Sequence, residues 1–337
     1  MKIFFYALRD YDEKGYLEKC ADKYGFEYGC TSAYPDIDNL ALAKGFDAIS
    51  IITNPIDTVM LDKMKEYGIR YITTRSIGYE HIDIAYAHKI GIKVAHVTYA
   101  PESVADYTIM MMLIACRQMP YIMQKSNVQD FSLKGKIGRD ISSSTVGVIG
   151  TGNIGATVVK HLSGFGCRIL MNDVYKKDEL TAYGEYTDLE TLCRESDIIT
   201  LHVPALEENY HMINESMIKL MKDGVIIVNC ARGSLIDTEA MVQGLESGRI
   251  GFAALDTIEN EAGLYYLDRS GDKLSNRDRA VLMAFPNVFL TPHMAFYTER
   301  TVYDMMNNAC IGLLNFEKGI DNPFEVCPKP VRKKQSK

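Results

Sequence analysis

Three polar residues at the ends of apolar runs have the right types for one piece of chemistry. Arg232 closes Asn229-Cys230-Ala231-Arg232-Gly233 after the run Val225–Asn229. Glu261 lies just beyond Gly251–Asp256, in Asp256-Thr257-Ile258-Glu259-Asn260-Glu261, and His293 follows Val288–Thr291 in Thr291-Pro292-His293. A guanidinium grips a carboxylate bidentately. An imidazole gives or takes a proton near neutral pH. A nearby acid orients that imidazole and favours its protonated form. Together these are the groups that reduction of a 2-keto acid requires: a carboxylate anchor, a proton donor to the carbonyl oxygen as hydride arrives, and an orienting acid. Singly, each has a plainer explanation. An Arg-Gly at a strand end caps or faces water, a glutamate in an acidic cluster is solvated, and a histidine after proline sits in a turn.

Their placement behind a dinucleotide fingerprint reverses those odds. Gly150-Thr151-Gly152-Asn153-Ile154-Gly155 matches G-x-G-x-x-G, a weak signal alone. Here an apolar strand, Thr145–Ile149, enters the turn, and Ile154–Phe165 leaves it with helical spacing, closed by Gly164 and Gly166. Gly150 permits the tight turn, Gly152 lets a pyrophosphate approach the backbone, and Gly155 lets helix and strand lie close. The helix N-terminus offers unpaired N–H groups to phosphate. Asp173 ends the next strand, where a carboxylate accepts from ribose hydroxyls and repels a 2′-phosphate, favouring NAD over NADP. Lys176 and Lys177 follow closely and weaken that preference.

These residues need two sets of alternating elements to position them. Lys2–Leu8, Ala48–Thr53, Arg70–Thr74 and Lys93–Thr98 read as strands, with helices over Glu13–Tyr24 and Asp57–Tyr67 between them. Tyr99-Ala100-Pro101 breaks the rhythm, and a methionine-rich helix spans Ser103–Gln118. A second series runs through Thr145–Ile149, Cys167–Asn172, Ile198–Val203, Val225–Asn229, Gly251–Asp256 and Val288–Thr291, before a last helix, Glu299–Lys318. The expected fold is α/β with two doubly wound parallel-sheet domains, a Rossmann NAD-binding domain inserted into a flavodoxin-like substrate domain. Residues 1–100 plus 299–330 form the substrate domain, 101–298 the NAD-binding domain, and 331–337 a disordered basic tail.

Bulk properties narrow the class further. A chain of 337 residues suits two domains, and 47% hydrophobic with 24% charged residues is typical of a globular enzyme. The net charge of −7 argues against a nucleic-acid partner. The eight cysteines include no C-x-x-C pair and no histidine cluster at ligand spacing, so no metal is expected. They suit a reducing compartment. Met1–Leu8 begins directly as a strand, without a signal peptide's layout, and the longest apolar run, Ile109–Cys116, is too short to span a bilayer. No membrane association and a cytoplasmic location are expected.

With these pieces assembled, the chain resembles the D-2-hydroxyacid dehydrogenases over nearly its whole length. The resemblance rests on Gly150–Gly155, Asp197–Pro204, Met221–Gly224, Asn229–Gly233, Ala254–Asp256 and Thr291–His293. Within the family it looks most like the D-lactate dehydrogenase group. The nearest local similarity is to the vancomycin-resistance lactate dehydrogenases, through Thr74–Gly78, His81–Asp83, Ser103–Thr108 and Phe296–Glu299. The resemblance implies that Arg232 binds carboxylate and carbonyl, that Glu261 rather than Glu259 pairs with the histidine, and that His293 is the general acid/base. It places Asp256 near the nicotinamide carboxamide and Val203, Pro204, Asn209, Cys230, Ala231 and Arg232 along the cofactor. Ile77 and Gly78 match a loop whose N–H groups hold the substrate carboxylate, and Tyr99 and Tyr297 match pocket-lining positions. It also implies closure of the two domains and a homodimer formed through the Ser103–Gln118 helix, the alternative being that this helix is an internal core element.

One departure bears on substrate size. Lactate-specific members tend to carry a tyrosine where this chain has Ile52, leaving more room beside a substrate side chain; strand core is the plainer reading of that isoleucine. A hydrophobic pocket separates one methylene by only about 1–3 kcal/mol, so overlapping substrates are expected. The leading expectation is reduction of pyruvate to D-lactate with NADH. The alternatives are a larger 2-hydroxy acid of 2-hydroxyisocaproate, phenyllactate or 2-hydroxyglutarate type, and a non-catalytic NAD-sensing protein on the same fold.

Overall fold

The structure, a computed structural model, describes residues 1–273 and 276–328. The expected basic tail, 331–337, lies outside the described residues. The chain divides into two compact units, residues 1–100 with the chain from Tyr297 onward, and residues 101–296. The return to the first unit thus falls at Tyr297, two residues ahead of Glu299.

The first unit begins with β1 (Lys2–Phe5), α1 (Lys14–Tyr24), β2 (Glu27–Cys30), β3 (Ala48–Ile51), α2 (Thr58–Glu66), β4 (Tyr71–Thr74), α3 (Ile84–Lys89) and β5 (Lys93–Ala95). Strands β1 to β5 pair in parallel in the order 2-1-3-4-5, the flavodoxin-like arrangement. The pleat sends alternate residues of β1 to opposite faces. Ile3 and Phe5 join Leu17 and Cys20 of α1 in one core, while Phe4 packs with Ile49, Leu61, Met64 and Ile72 in the other. The returning chain adds α11 (Glu299–Lys318) to the first core through Met306, Cys310 and Leu313. It then adds β13 (Glu325–Val326), antiparallel on β5. Strands β2 and β13 fall outside the sequence expectation because they are short edge strands without a continuous apolar run.

The second unit opens with α4 (Glu102–Cys116) and α5 (Met119–Asn127). Its sheet comprises β6 (Thr145–Ile149), β7 (Arg168–Asn172), β8 (Glu185–Tyr186), β9 (Ile198–Leu201), β10 (Val225–Asn229), β11 (Ile250–Leu255) and β12 (Val288–Leu290). Helices α6 (Asn153–Ser163), α7 (Leu189–Glu195), α8 (Glu215–Leu220), α9 (Thr238–Glu246) and α10 (Arg277–Ala284) lie between the strands. Every pairing is parallel and the order is 12-11-10-9-6-7-8. Counted from β6 this is the Rossmann order 3-2-1-4-5-6 with a seventh strand at the edge. All five residues of β10 and all four of β9 are buried, as expected for central parallel strands covered on both faces.

Helix α4 is a core element of its unit, burying Val104, Ala105, Thr108, Met111, Met112 and Ala115. By contrast α5 buries none of its residues. Among the described residues no helix is long and apolar enough to cross a membrane, and no cluster of three or more His, Cys, Asp or Glu could hold a metal.

Candidate active site

The glycine turn between β6 and α6 has the shape a dinucleotide requires. Gly150 sits at φ +93°, and a Cβ there would lie 2.7 Å from the His202 carbonyl. A Cβ on Gly155 would overlap the Gly150 carbonyl oxygen, so α6 can seat on β6 only with glycine at that position. Around Gly152 the space is open, and no side chain caps α6 at this residue. The first N–H groups of α6 therefore face an open cradle, which suits a pyrophosphate.

Asp173 performs two tasks at the end of β7. Its Oδ2 accepts from the Thr151 N–H at 2.6 Å and from the Thr151 hydroxyl at 3.2 Å. Its Oδ1 accepts from the Tyr175 N–H at 2.9 Å. The carboxylate thus braces the glycine turn from outside and keeps lone pairs for ribose hydroxyls. Tyr186, which the sequence reading did not single out, completes the brace: its hydroxyl lies 2.9 Å from Thr151 Oγ1 and accepts from the Lys177 N–H at 3.0 Å. The Lys177 ammonium turns back to the Gly152 carbonyl at 3.4 Å, while that of Lys176 lies over the Tyr186 ring. These residues fit NAD.

Arg232, Glu261 and His293 follow the ends of three neighbouring strands, β10, β11 and β12. Asn229 staples the first turn: its Oδ1 accepts from the Ala231 N–H at 3.0 Å and its Nδ2 donates to the Arg232 carbonyl at 2.8 Å. Cys230 is buried, with Sγ 3.6 Å from Met111 Sδ on α4. Burial pushes its thiol far above the ordinary range. Only its backbone is therefore available to a ligand.

Glu261 and His293 are in contact. His293 Nδ1 lies 2.6 Å from Glu261 Oε1, both side chains about three-quarters buried at 25% and 22% exposure. A carboxylate only accepts, so Nδ1 carries the hydrogen and Nε2 is left for proton exchange. Glu261 Oε2 accepts from the Ile258 N–H at 3.0 Å, which fixes the carboxylate itself. The imidazole is held equally firmly from its backbone side. His293 sits at φ +54°, a left-handed conformation that needs outside support in a non-glycine residue. Its N–H donates to the Asp256 carbonyl at 2.9 Å, and its carbonyl accepts from the Tyr266 hydroxyl at 2.9 Å.

Asp256 is fully buried and serves as the clasp of this loop. Oδ1 accepts from the Thr291 hydroxyl at 2.6 Å and the Met294 N–H at 2.8 Å, and Oδ2 accepts from the Ala295 N–H at 2.8 Å. Residue types gave no sign of this clasp, or of the roles of Tyr266 and Thr291, because each partner lies more than 25 residues away in the chain. Among the residues expected along the cofactor, Asn209 Nδ2 donates to the Pro204 carbonyl at 2.9 Å and closes the loop that begins at Val203. His202 beside it is held down to about pKa 3 by burial.

In the first unit, the fully buried Arg75 ties the strand ends together. Its guanidinium donates to Glu13 at 2.9 Å, to Ser50 at 3.1 Å, and to the carbonyls of Tyr6 and Ala7 at 3.0 and 3.1 Å. Just beyond it, the Ile77 carbonyl accepts from His96 Nδ1 at 3.1 Å and the Gly78 carbonyl from the Ser76 hydroxyl at 2.6 Å. Among the described residues, neither the Ile77 nor the Gly78 N–H donates a backbone hydrogen bond. Tyr99 is half-buried. Tyr297 donates to Asp12 Oδ2 at 2.6 Å, and this bond pushes its phenol up to about 12. Ile52 is 4% exposed and belongs to the interior at the end of β3.

The fold and the glycine turn define a dinucleotide-binding protein of the doubly wound class. Residues 109–295 match the family model described as D-isomer specific 2-hydroxyacid dehydrogenase, NAD binding domain. The chain is 40% identical over 333 residues to the aromatic 2-oxoacid reductase of Clostridium sporogenes, covering 97% of this chain and all of that protein. It is 37% identical over 334 residues to the D-lactate dehydrogenase of Escherichia coli, covering 98% of this chain and all of that one. The solved structure of D-2-hydroxyisocaproate dehydrogenase superposes with a TM-score of 0.88 at 34% identity, over 97% of this chain and all of that one. The chain belongs to the D-isomer-specific 2-hydroxyacid dehydrogenase family. It is an NAD-dependent oxidoreductase acting on the CH–OH group of a small 2-hydroxy acid.

Proposed function

We propose that this enzyme reduces 2-keto acids to D-2-hydroxy acids through Arg232, Glu261 and His293, with pyruvate to D-lactate as its principal reaction. The observation that carries the reading is the 2.6 Å contact between His293 Nδ1 and Glu261, at strand ends adjacent to that of Arg232. NADH, when bound at the glycine turn, supplies the hydride that C2 of the keto acid receives. Arg232 holds the substrate carboxylate and polarises the carbonyl. His293 gives the proton on Nε2 to the carbonyl oxygen, and takes it back in the oxidative direction. Glu261 holds the imidazole in the tautomer and rotamer that aim Nε2 outward. In the first unit, the Ile77 and Gly78 N–H groups suit a carboxylate, and Tyr99 and Tyr297 suit contact with substrate.

A second reading, reduction of branched or aromatic 2-keto acids, is favoured by Ile52 where lactate-specific members tend to carry tyrosine. The name of the Clostridium sporogenes relative is in keeping with it. A panel of pyruvate, 2-oxobutyrate, 2-ketoisocaproate, phenylpyruvate and 2-oxoglutarate with NADH separates the two readings by kcat/KM. The highest value for phenylpyruvate or 2-ketoisocaproate overturns pyruvate as principal substrate. No turnover of any member overturns both substrate readings.

We also propose a homodimer. Its contact surface is better placed on α5 and the following loop than on the buried face of α4. Met123, Val128, Phe131, Leu133 and Ile137 are 60–89% exposed there, a run of apolar side chains of the kind that marks association surfaces. A monomer mass in light scattering at micromolar concentration refutes this.

A further inference from the structure

The turn that carries Glu261 holds a second glutamate with its own histidine. Glu259 Oε1 lies 2.7 Å from His211 Nε2, and Oε2 accepts from the Thr238 N–H at 3.1 Å and the Thr238 hydroxyl at 2.7 Å. The Glu259 side chain is only 16% exposed. His211 is itself constrained. It sits at φ +50°, its N–H donates to the Ser234 carbonyl, and its carbonyl accepts from Asn214 Nδ2. Its Nδ1 lies 3.8 Å from Asp237 Oδ2. One carboxylate therefore joins the loop of His211, the start of α9 and the turn after β11.

That junction bears directly on Arg232 and Glu261. A Cβ on Gly233 would overlap the carbonyl of Ile258 and the nitrogen of Glu259. The backbone next to Arg232 thus rests on the peptide that Glu259 anchors. The same residue, Ile258, gives its N–H to Glu261 Oε2. One residue, Ile258, thereby touches both ends of the site: its carbonyl side packs against the backbone next to Arg232, and its N–H side holds the acid that meets His293. We propose that the His211–Glu259 pair is a positioning element for the reaction, clamping the 258–261 turn so that Arg232 and Glu261 stay in register. This inference rests on the roles given above to Arg232, Glu261 and His293. An exposed ion pair would contribute little, but this carboxylate accepts three hydrogen bonds. Its loss strands two donors at the start of α9.

The test uses the full chain with NADH and pyruvate or phenylpyruvate, and compares Glu259→Gln, His211→Phe, His211→Gln and His293→Ala. Displacement of reacting groups by about 1 Å costs up to about 100-fold, so Glu259→Gln and His211→Phe are expected to lower kcat at least about tenfold. NADH affinity by fluorescence titration stays within about twofold of wild type, since the glycine turn is untouched. The pH profile of kcat/KM changes shape in both variants, a readout that loss of stability alone does not move. His211→Gln regains most of the kcat, because its amide nitrogen can donate to Glu259. Near-wild-type kcat and pH profile in Glu259→Gln and His211→Phe, with His293→Ala inactive, overturn the inference and leave the catalytic reading standing. Activity in His293→Ala removes the catalytic reading itself. If Glu259→Gln does not fold, the two His211 variants decide: equal kcat for Phe and Gln overturns the clamp.

Discussion

Asp256→Asn offers a sharp test of how the His293 loop is held. The carboxylate accepts three hydrogen bonds in a fully buried site, and asparagine presents only one accepting atom. With Nδ2 in the Oδ2 position, the amide faces the Ala295 N–H, donor against donor. With Nδ2 in the Oδ1 position, it faces the Met294 N–H, and the Thr291 hydroxyl must rotate to accept. The gentler choice still loses one charge-assisted bond and leaves a buried N–H unpaired, a cost of about 2–4 kcal/mol. At roughly 2–4 °C per kcal/mol for a domain of this size, the second unit should melt about 4–16 °C lower. The loop also carries His293 in its left-handed conformation, so kcat should fall about 10–100-fold as the imidazole loses its fixed aim. Differential scanning calorimetry and steady-state NADH oxidation measure the two effects on one preparation. A variant with unchanged melting and unchanged kcat would refute the clasp.

Three other perturbations follow from the same geometry. Asp173→Ala removes the brace on Thr151 and, on the proposed reading, the acceptor for ribose, so kcat/KM for NADH should drop while that for NADPH gains relative to it, helped by Lys176 and Lys177; an unaltered NADH:NADPH ratio contradicts the assignment. Gly155→Ala places a Cβ onto the Gly150 carbonyl oxygen and should cost about 1–3 kcal/mol or more, with NADH binding lost; wild-type NADH affinity in calorimetry refutes the close seating of α6. His202 is held down to about pKa 3 by burial, so below about pH 6.5 the unfolded chain takes up a proton that the folded chain refuses. Its contribution to stability is complete above that pH and falls by up to about 1.4 kcal/mol per unit as the pH drops toward 3. His202→Asn should flatten that part of the acid unfolding curve, and an unchanged slope contradicts the burial argument.

Much of this molecule could be read from local patterns. The strand Thr145–Ile149, the glycine turn and the helix after it are determined by neighbours within a few residues: β-branched runs, glycines at fixed spacing, a periodic apolar face. The alternation of strand and helix limited the fold to doubly wound sheets, and both strand orders agree with it. Other features depended on partners far away in the chain. Strand β2 has no apolar run of its own and exists because β1 offers it an edge. The methionines of α4 favoured an interface over an internal core on sequence, and packing within its unit buries Met111 and Met112 while Met110 stays exposed. Glu259 and Glu261 are the same residue type two positions apart, and composition alone could not tell which meets His293. The turn after β11 decides it: Ile258 holds Glu261 toward His293, while Thr238 and His211 take Glu259. Sequence by itself singled out the residues whose types suit the proposed chemistry and the strands that carry them. Only tertiary structure decided their partners, because hydrogen bonds between residues 20 to 50 positions apart are set by how strands and turns pack, not by local propensity.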